Sequence, residues 1–303
     1  MIRPKIVLSK CFSEAVRYNS EIISDQFVNR LKKYVDYIDF CPEVEIGLPV
    51  PRKILIITKV NDKKRLIQPE TGIDLTEKMG EYAEKVVNSL KDIDGFILKA
   101  KSPSCGVGTT NLYENNKVVG RTYGFFAEKI KEKFPYLPLE DEKRLKNRDI
   151  RVNFLTKIFA FADLRESLKE KKAKNLVEFH TRYKYLLMTY SQTHLKKMGQ
   201  IVASNMEVEK KIEEYKKNFY EAFSKRPTLK KHANTLFHIF GHISDKLNKK
   251  EKTHLKNLIE KLSKGKIELK VIIELMRNFA YRFENDYLLF QKYLEPYPED
   301  LDV

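Results

Sequence analysis

The 303 residues make a chain of 35.8 kDa, long enough for about two ordinary domains, and with 42% hydrophobic residues each can fill a core. No run approaches the ~18 apolar residues of a membrane span, and the N-terminal Ile2-Arg3-Pro4-Lys5-Ile6 lacks the apolar segment of a signal peptide. This predicts a globular, cytoplasmic protein without a membrane partner. The net charge of +16 and pI near 9.4 suit a polyanionic partner bound through phosphate neutralisation, although lysines that merely solvate helix faces would give the same sum. Residues 1–148 carry +6 of it and residues 149–303 carry +10, and all six histidines lie in the second stretch.

In chain order, the first half alternates. Lys5-Ile6-Val7-Leu8-Ser9 reads as a strand. Asp25 then precedes Phe27, Val28 and Leu31 at helical spacing, as a helix cap would. A strand over residues 35–40 follows, then the proline-rich loop Gly47-Leu48-Pro49-Val50-Pro51-Arg52 and a strand-like run over 53–58. Met79, Ala83, Val86, Val87 and Leu90 form the apolar stripe of a helix over 76–90. A strand over 96–98 and a helix over 123–133 come next. Strands and helices in this alternation predict an α/β domain with a mainly parallel, Rossmann-like sheet.

The charge-dense stretch 141–148 places a domain boundary, giving domains of 1–148 and 149–303, and beyond it only helical patterns occur. Asn175 with Glu178 three residues on has the form of a capping box for a helix running to Tyr190. Further helices fit residues 208–223, 232–247, 253–262 and 267–283. The second domain is therefore expected to be an all-α bundle, basic and suited to RNA.

The chain has three cysteines, and each follows a predicted strand: Cys11, Cys41 and Cys105. In an open parallel sheet the carboxyl ends of the strands line one edge, where ligands bind, so three thiols distant in sequence can meet there. An odd count in a cytosolic chain argues against a disulfide framework. Isolated cysteines are commonly buried as small hydrophobes, but here polar or turn-forming neighbours flank each one: Ser9-Lys10, Pro42-Glu43, and Ser104 with Gly106. Thiolates suit zinc or an iron–sulfur cluster. A structural zinc site usually has four ligands in paired spacings; a four-iron cluster normally takes four cysteines, so three would leave one iron open for Lewis-acid chemistry. His238 and His242 have the i, i+4 spacing of a helical metal pair but lack an accompanying carboxylate pattern. Tyr183, Tyr185 and Tyr190 could stack on bases, although aromatics at helical spacing are mostly core.

Cys11 with Val16-Arg17-Tyr18, Phe40-Cys41-Pro42-Glu43 with Gly47-Leu48-Pro49-Val50-Pro51-Arg52, and Lys101-Ser102-Pro103-Ser104-Cys105-Gly106 together resemble the thiouracil desulfidase family. The second half, through Phe179-His180-Thr181-Arg182-Tyr183-Lys184 and Gln291-Lys292-Tyr293-Leu294-Glu295-Pro296, resembles the helical module often fused to that domain. The resemblance implies a 4Fe-4S cluster on Cys11, Cys41 and Cys105 with one open iron, and catalytic roles for Glu43 and Ser102. The fused form resembles enzymes that convert 4-thiouridine in tRNA to uridine with release of sulfide, with tRNA as partner and no obligate protein partner. The alternatives are a desulfidase of free thiouracil or thiolated nucleotides, and a non-catalytic iron–sulfur RNA-binding protein. Glu43 is expected to deprotonate the attacking water and Ser102 to position the pyrimidine or pass a proton. As a turn-stabilising hydroxyl before Pro103, Ser102 would need no such role. Arg17, Tyr18, Arg52, Lys101 and Gly106 lie in the motif loops as candidate substrate contacts. Glu45-Ile46 before Gly47, and Phe12-Ser13-Glu14 after Cys11, depart from the family pattern and bear on substrate fit.

Overall fold

The computed structural model describes residues 2–301. The chain forms two compact units, Met1–Asp163 with Asp300–Val303, and Leu164–Glu299. Among the described residues no helix is long and apolar enough to cross a membrane.

The first unit contains strands β1 (Lys5–Ser9), β2 (Asp36–Phe40), β3 (Ile56–Val60), β4 (Lys63–Gln68), β5 (Ile73–Asp74), β6 (Gly95–Leu98), β7 (Thr110–Glu114), β8 (Lys117–Thr122) and β9 (Leu139–Asp141). Its helices are α1 (Gln26–Leu31), α2 (Pro42–Glu45), α3 (Thr76–Ser89) and α4 (Phe125–Lys133). One sheet is parallel throughout, in the order β2-β1-β6-β9, as the alternating pattern predicts. β1 and β6 are its interior strands, so their apolar runs are buried on both faces. Edge strand β2 keeps Asp36 and Asp39 instead, and Asp36–Ile38 are exposed. Val7, Phe96 and Leu98 pack with Ala83, Val86 and Val87 of α3 and Phe126 and Ile130 of α4. Each of these side chains larger than alanine contributes roughly 1.5–3 kcal/mol on burial.

A second, five-stranded sheet, β5-β4-β3-β7-β8, joins three antiparallel pairs, β3-β4, β4-β5 and β7-β8, with β3 and β7 parallel to each other. Sequence patterning resolves only part of it. The expected strand over 53–58 starts three residues and ends two residues further on, at Ile56–Val60, where a tight turn follows in which Asn61 and Asp62 both adopt positive φ. Polar β4 and β8 have no apolar alternation to betray them.

From residue 148 onward the chain is helical: α5 (Arg148–Ser167), α6 (Ala173–Tyr190), α7 (Gln192–Ala203), α8 (Val208–Ala222), α9 (Leu229–Gly241), α10 (Lys249–Ser263), α11 (Leu269–Arg282) and α12 (Asp286–Leu289). The division between compact units falls at 163/164 rather than 148/149, because α5 packs with the α/β unit for most of its length. Ile158 lies so close to Gly95 of β6 that a Cβ there would come within 2.7 Å of it, and Arg151 stacks over Phe27. α6 starts at Ala173 after extended Lys172, which gives no side-chain cap. The capping box expected at Asn175 and Glu178 therefore falls inside the helix. A capping box does form at Asn248 and Glu251 of α10. The helix expected over 232–247 ends at Gly241 and yields to a 3-10 turn at Ser244–Lys246.

Inside the helical unit the core is aromatic. Phe179, Tyr183, Tyr215, Phe219 and Phe223 pack ring to ring, and Tyr183, Tyr185 and Tyr190 are each at most 3% exposed. None of these three is available to stack on a base. His242 Nε2 lies 2.6 Å from the Tyr185 hydroxyl, which explains this histidine without a metal.

Candidate active site

Cysteines separated by 30 and 64 residues come together because the strands they follow are neighbours, β2-β1-β6. Cys11 sits in the 3-10 turn Lys10–Phe12 directly after β1. Cys41 is the N-cap of α2 directly after β2, and Cys105 lies in the loop that leaves β6. The chain runs from β1 outward to β2 and then crosses to β6 on the other side of β1. This reversal of direction opens a crevice at the carboxyl edge of an α/β sheet. A pocket of about 390 Å³ occupies it, lined by all three cysteines.

The Cys105 loop is held from behind by backbone. Thr110 Oγ1 donates to Ser102 O at 2.7 Å, and a Cβ at Gly106 would lie 2.0 Å from that hydroxyl oxygen. The first amides of α4 close onto the same loop, with Phe126 N and Ala127 N donating to Ser104 O. Gly124 approaches so closely that a Cβ would meet the Ser104 carbonyl at 2.5 Å. Gly106 is buried and is not among the pocket-lining residues. In place of the expected substrate contact, it is the close-packing point that lets the cysteine loop turn.

Glu43, two residues past Cys41, is 12% exposed and faces a 4% exposed Arg52. Arg52 Nε and Nη2 reach Glu43 Oε2 at 2.8 and 2.7 Å. Arg52 also donates to Val16 O at 2.9 Å and lies 3.9 Å from the Cys41 sulfur. Its donors are thus committed to protein. Arg52 lines the pocket, as an expected substrate contact would, and also brackets the carboxylate and a thiol. The other carboxylate oxygen, Glu43 Oε1, accepts from Ser104 Oγ at 2.8 Å and from Ser102 Oγ at 3.4 Å. Ser102 Oγ also accepts from the amides of Ser104 and Cys105, at 3.2 and 3.1 Å. This hydroxyl therefore shapes the cysteine loop as well as touching Glu43.

Of the other expected contacts, Arg17, Tyr18 and Lys101 all line the pocket. Arg17 is held by Glu21 at 2.6 Å and lies over the Tyr18 ring, 5.4 Å from its centroid. Lys101 is exposed, with positive φ. Sequence reading missed Ser9, Lys99, Ser104, Glu142 and Lys143. Glu142 is 6% exposed and accepts from Lys99 Nζ at 2.7 Å and from Ala100 N at 2.8 Å, fixing the start of the loop. Lys143 stands exposed on the pocket wall. Ser104, inside a quoted motif, and Ser9, a polar neighbour of Cys11, offered a signal; the rest reach the site through strand order.

The thiols are free. Burial is the main cause in each case of a raised pKa. It pushes Cys11 up to about 12, with the neighbouring Cys41 adding to it and Lys99 opposing it. Cys41 is raised as well, against the pull of the Val44 amide. Cys105 is raised well above its ordinary value, against a hydrogen bond from Ser9. Such thiols stay protonated until a metal displaces the proton. Among the described residues, no three His, Cys, Asp or Glu side chains converge as ligands of a single ion. The cysteines instead line the pocket from three separate loops, and this donor set fits a polynuclear cluster that takes one cysteine per iron.

Residues 6–142 match the 2-thiouracil desulfurase family, and residues 184–298 match DUF1722, a family described as a protein of unknown function. The curated relative "Uncharacterized protein YbgA" of Escherichia coli (strain K12) is 24% identical over 154 residues, 49% of this chain and 90% of its own. A solved structure described as a 4Fe-4S-dependent thiouracil desulfidase, TudS, is 26% identical, with a TM-score of 0.39 over 48% of this chain and 94% of that one.

Proposed function

We propose that this chain, which joins a 2-thiouracil desulfurase-family domain to a DUF1722 domain, removes sulfur from 4-thiouridine in tRNA, leaving uridine. The observation that carries this reading is the convergence of three free thiols, Glu43 and Ser102 on one pocket. Cys11, Cys41 and Cys105 would hold a 4Fe-4S cluster whose remaining iron, free of cysteine, supplies Lewis-acid polarisation of the substrate's thiocarbonyl.

This chain's own residues do the rest. Arg52 pairs with Glu43 Oε2 and leaves Oε1 as the oxygen that takes a proton from a water molecule. Ser104 and Ser102 hold the accepting oxygen, Oε1, at a fixed orientation. The water oxygen bonds to the ring carbon as the carbon–sulfur bond breaks, and sulfide departs with the two water protons. C=S becomes C=O without net electron transfer. Arg52 couples the base to a ligand by touching Glu43 and Cys41 together.

Two features favour a nucleotide in RNA over a free base. Exposed Lys101 and Lys143 stand on the pocket wall, where a phosphate can meet them. Residues 149–303 carry +10, and Lys225, Arg226 and Lys230 stand exposed between α8 and the start of α9. The test is anaerobic reconstitution followed by iron and sulfide quantification, comparing 4-thiouridine loss from bulk tRNA with turnover of free 4-thiouridine monophosphate. Preference for the free nucleotide would redirect the assignment to small substrates. Tight tRNA binding with a steep salt slope supports the RNA reading, and replacing Lys225, Arg226 and Lys230 by alanine should reduce that slope by about 1 per lost phosphate contact.

A further inference from the structure

Two of the side chains lining the cysteine pocket are apolar and exposed, Tyr18 at 42% and Ile54 at 55%. A single exposed apolar group needs no explanation on a protein surface. These two, however, come from separate loops that one hydrogen bond joins, Arg52 N donating to Tyr18 O at 2.9 Å. Cys11 and Cys105 are 8% and 5% exposed, so these thiols belong to the recessed floor of the pocket and the exposed pair to its rim. The Tyr18 ring is held in place by a cation. Arg17 lies over it, 5.4 Å from the centroid, and Glu21 fixes Arg17 at 2.6 Å. A guanidinium on one face of a tyrosine ring leaves the other face for a flat partner. A second pair of loops brings the exposed Lys101 and Lys143 to the same pocket. One buried carboxylate braces both: Lys101 N donates to Thr109 Oγ1, Thr109 Oγ1 to Asp141 Oδ2, and Lys143 N to Asp141 Oδ1. The rim thus combines an apolar ledge with two exposed ammonium groups, which suits bases and the phosphates that link them.

We propose that Tyr18, with Ile54 on the adjoining loop, is the platform on which the nucleobase next to the reacting 4-thiouridine stacks, so that the site selects a thiolated residue within an RNA strand over a free nucleotide. The proposal rests on the RNA reading above. A base inside a folded strand reaches a recessed pocket only by leaving its stack, which costs unstacking energy. An aromatic ring at the rim replaces the contact that the neighbouring base then loses. Every base has a π face, so the platform sets a requirement for a neighbour and not for a sequence. The aromatics of the helical unit are unsuited to this role, since Tyr183, Tyr185 and Tyr190 are buried. Tyr18 is exposed where the reaction takes place, and it acts as a specificity-determining residue.

The chain contains no tryptophan, so Tyr18→Trp installs a single fluorescent reporter in the full-length protein, loaded or cluster-free. A short oligouridylate is expected to quench it at concentrations several-fold below those that uridine monophosphate needs. Tyr136→Trp, at a position that is exposed but not on the pocket wall, should stay unquenched. Equal quenching of the two reporters, or no quenching of either, overturns the platform. Turnover by the reconstituted enzyme gives a second readout. Tyr18→Ala should lower the ratio of kcat/KM for thiolated tRNA to that for 4-thiouridine monophosphate about 5–150-fold, through KM, and Tyr18→Phe should restore it. An unchanged ratio, or a fall in kcat at constant KM, overturns the role of Tyr18 while leaving tRNA as the substrate. A wild-type enzyme that favours the monophosphate overturns the RNA reading and this proposal with it. Should the alanine variant not fold, Tyr18→Leu, which also lacks a π face, takes its place.

Discussion

The two units differ in which polar groups they gather at their centres. In the helical unit, polar side chains answer one another: His180 Nδ1 lies 3.1 Å from the Tyr215 hydroxyl, His232 Nδ1 lies 3.1 Å from that of Tyr293, and Thr189 donates to Thr235 at 2.8 Å. In the α/β unit, three thiols are held protonated by burial without forming a disulfide, and the nearby carboxylate is clamped rather than free. Pairs that satisfy each other make a rigid body. Groups gathered without mutual satisfaction make a site.

The severest way to break this contrast is to remove a ligand. Cys105→Ser should abolish iron uptake and sulfide release together while the helical unit keeps its helical circular-dichroism signal. Retained iron stoichiometry would show that Cys105 is only a core residue. Glu43→Gln separates ligand from base. It keeps the partners Ser104 and Arg52 within reach, so iron content and cluster absorbance should stay at wild-type levels while turnover falls about 10²–10⁴-fold. Turnover at the wild-type rate would take Glu43 out of the reaction.

On the other side of the comparison, Phe219→Ala removes the ring that Phe179, Tyr183 and Phe223 pack against. About 3–5 kcal/mol of stability should be lost, read as a lower denaturation midpoint, with no change in the iron bound by the α/β unit. The smallest effect concerns pH. Burial holds both His180 and His232 down to about 4, below the ~6.5 of an unfolded chain. Between these values the unfolded state binds more protons, so stability is complete above about pH 6.5 and declines as pH falls toward 4. Each histidine accounts for up to about 3 kcal/mol of that decline. His180→Gln should flatten that decline in a pH series of urea melts; an unaltered slope would mean that other groups carry it.

Much of this architecture is legible from residue order. The buried strands β1 and β6 show as apolar runs, and α3, α8 and α11 show as stripes at helical spacing, because local periodicity reports which face a core will cover. Asp25 does cap α1, its side chain accepting from Val28 N at 3.0 Å. Polar hairpins leave no such trace. Strands β4 and β8 are held by pairing with β3 and β7, and pairing partners are not written in a single strand's composition. The same limit explains the end of the α/β unit. The charges of 141–148 mark a turn, but α5 beyond it stays with the sheet because its apolar face, through Ile158, has Gly95 to pack on.

The sequence by itself determined the chemistry available: three cysteines at strand ends, a carboxylate two residues past one of them and a hydroxyl three residues before another. Only the tertiary structure decided which groups share a pocket and which are already committed. Strand order β2-β1-β6 brings the thiols onto one edge, Arg52 turns out to hold Glu43 and Cys41, and Tyr18 stands at the rim of the same pocket, tied to the Arg52 amide. Those are contacts between segments tens of residues apart, fixed by how a sheet is ordered and how its helices pack on it. No local pattern of residues encodes them.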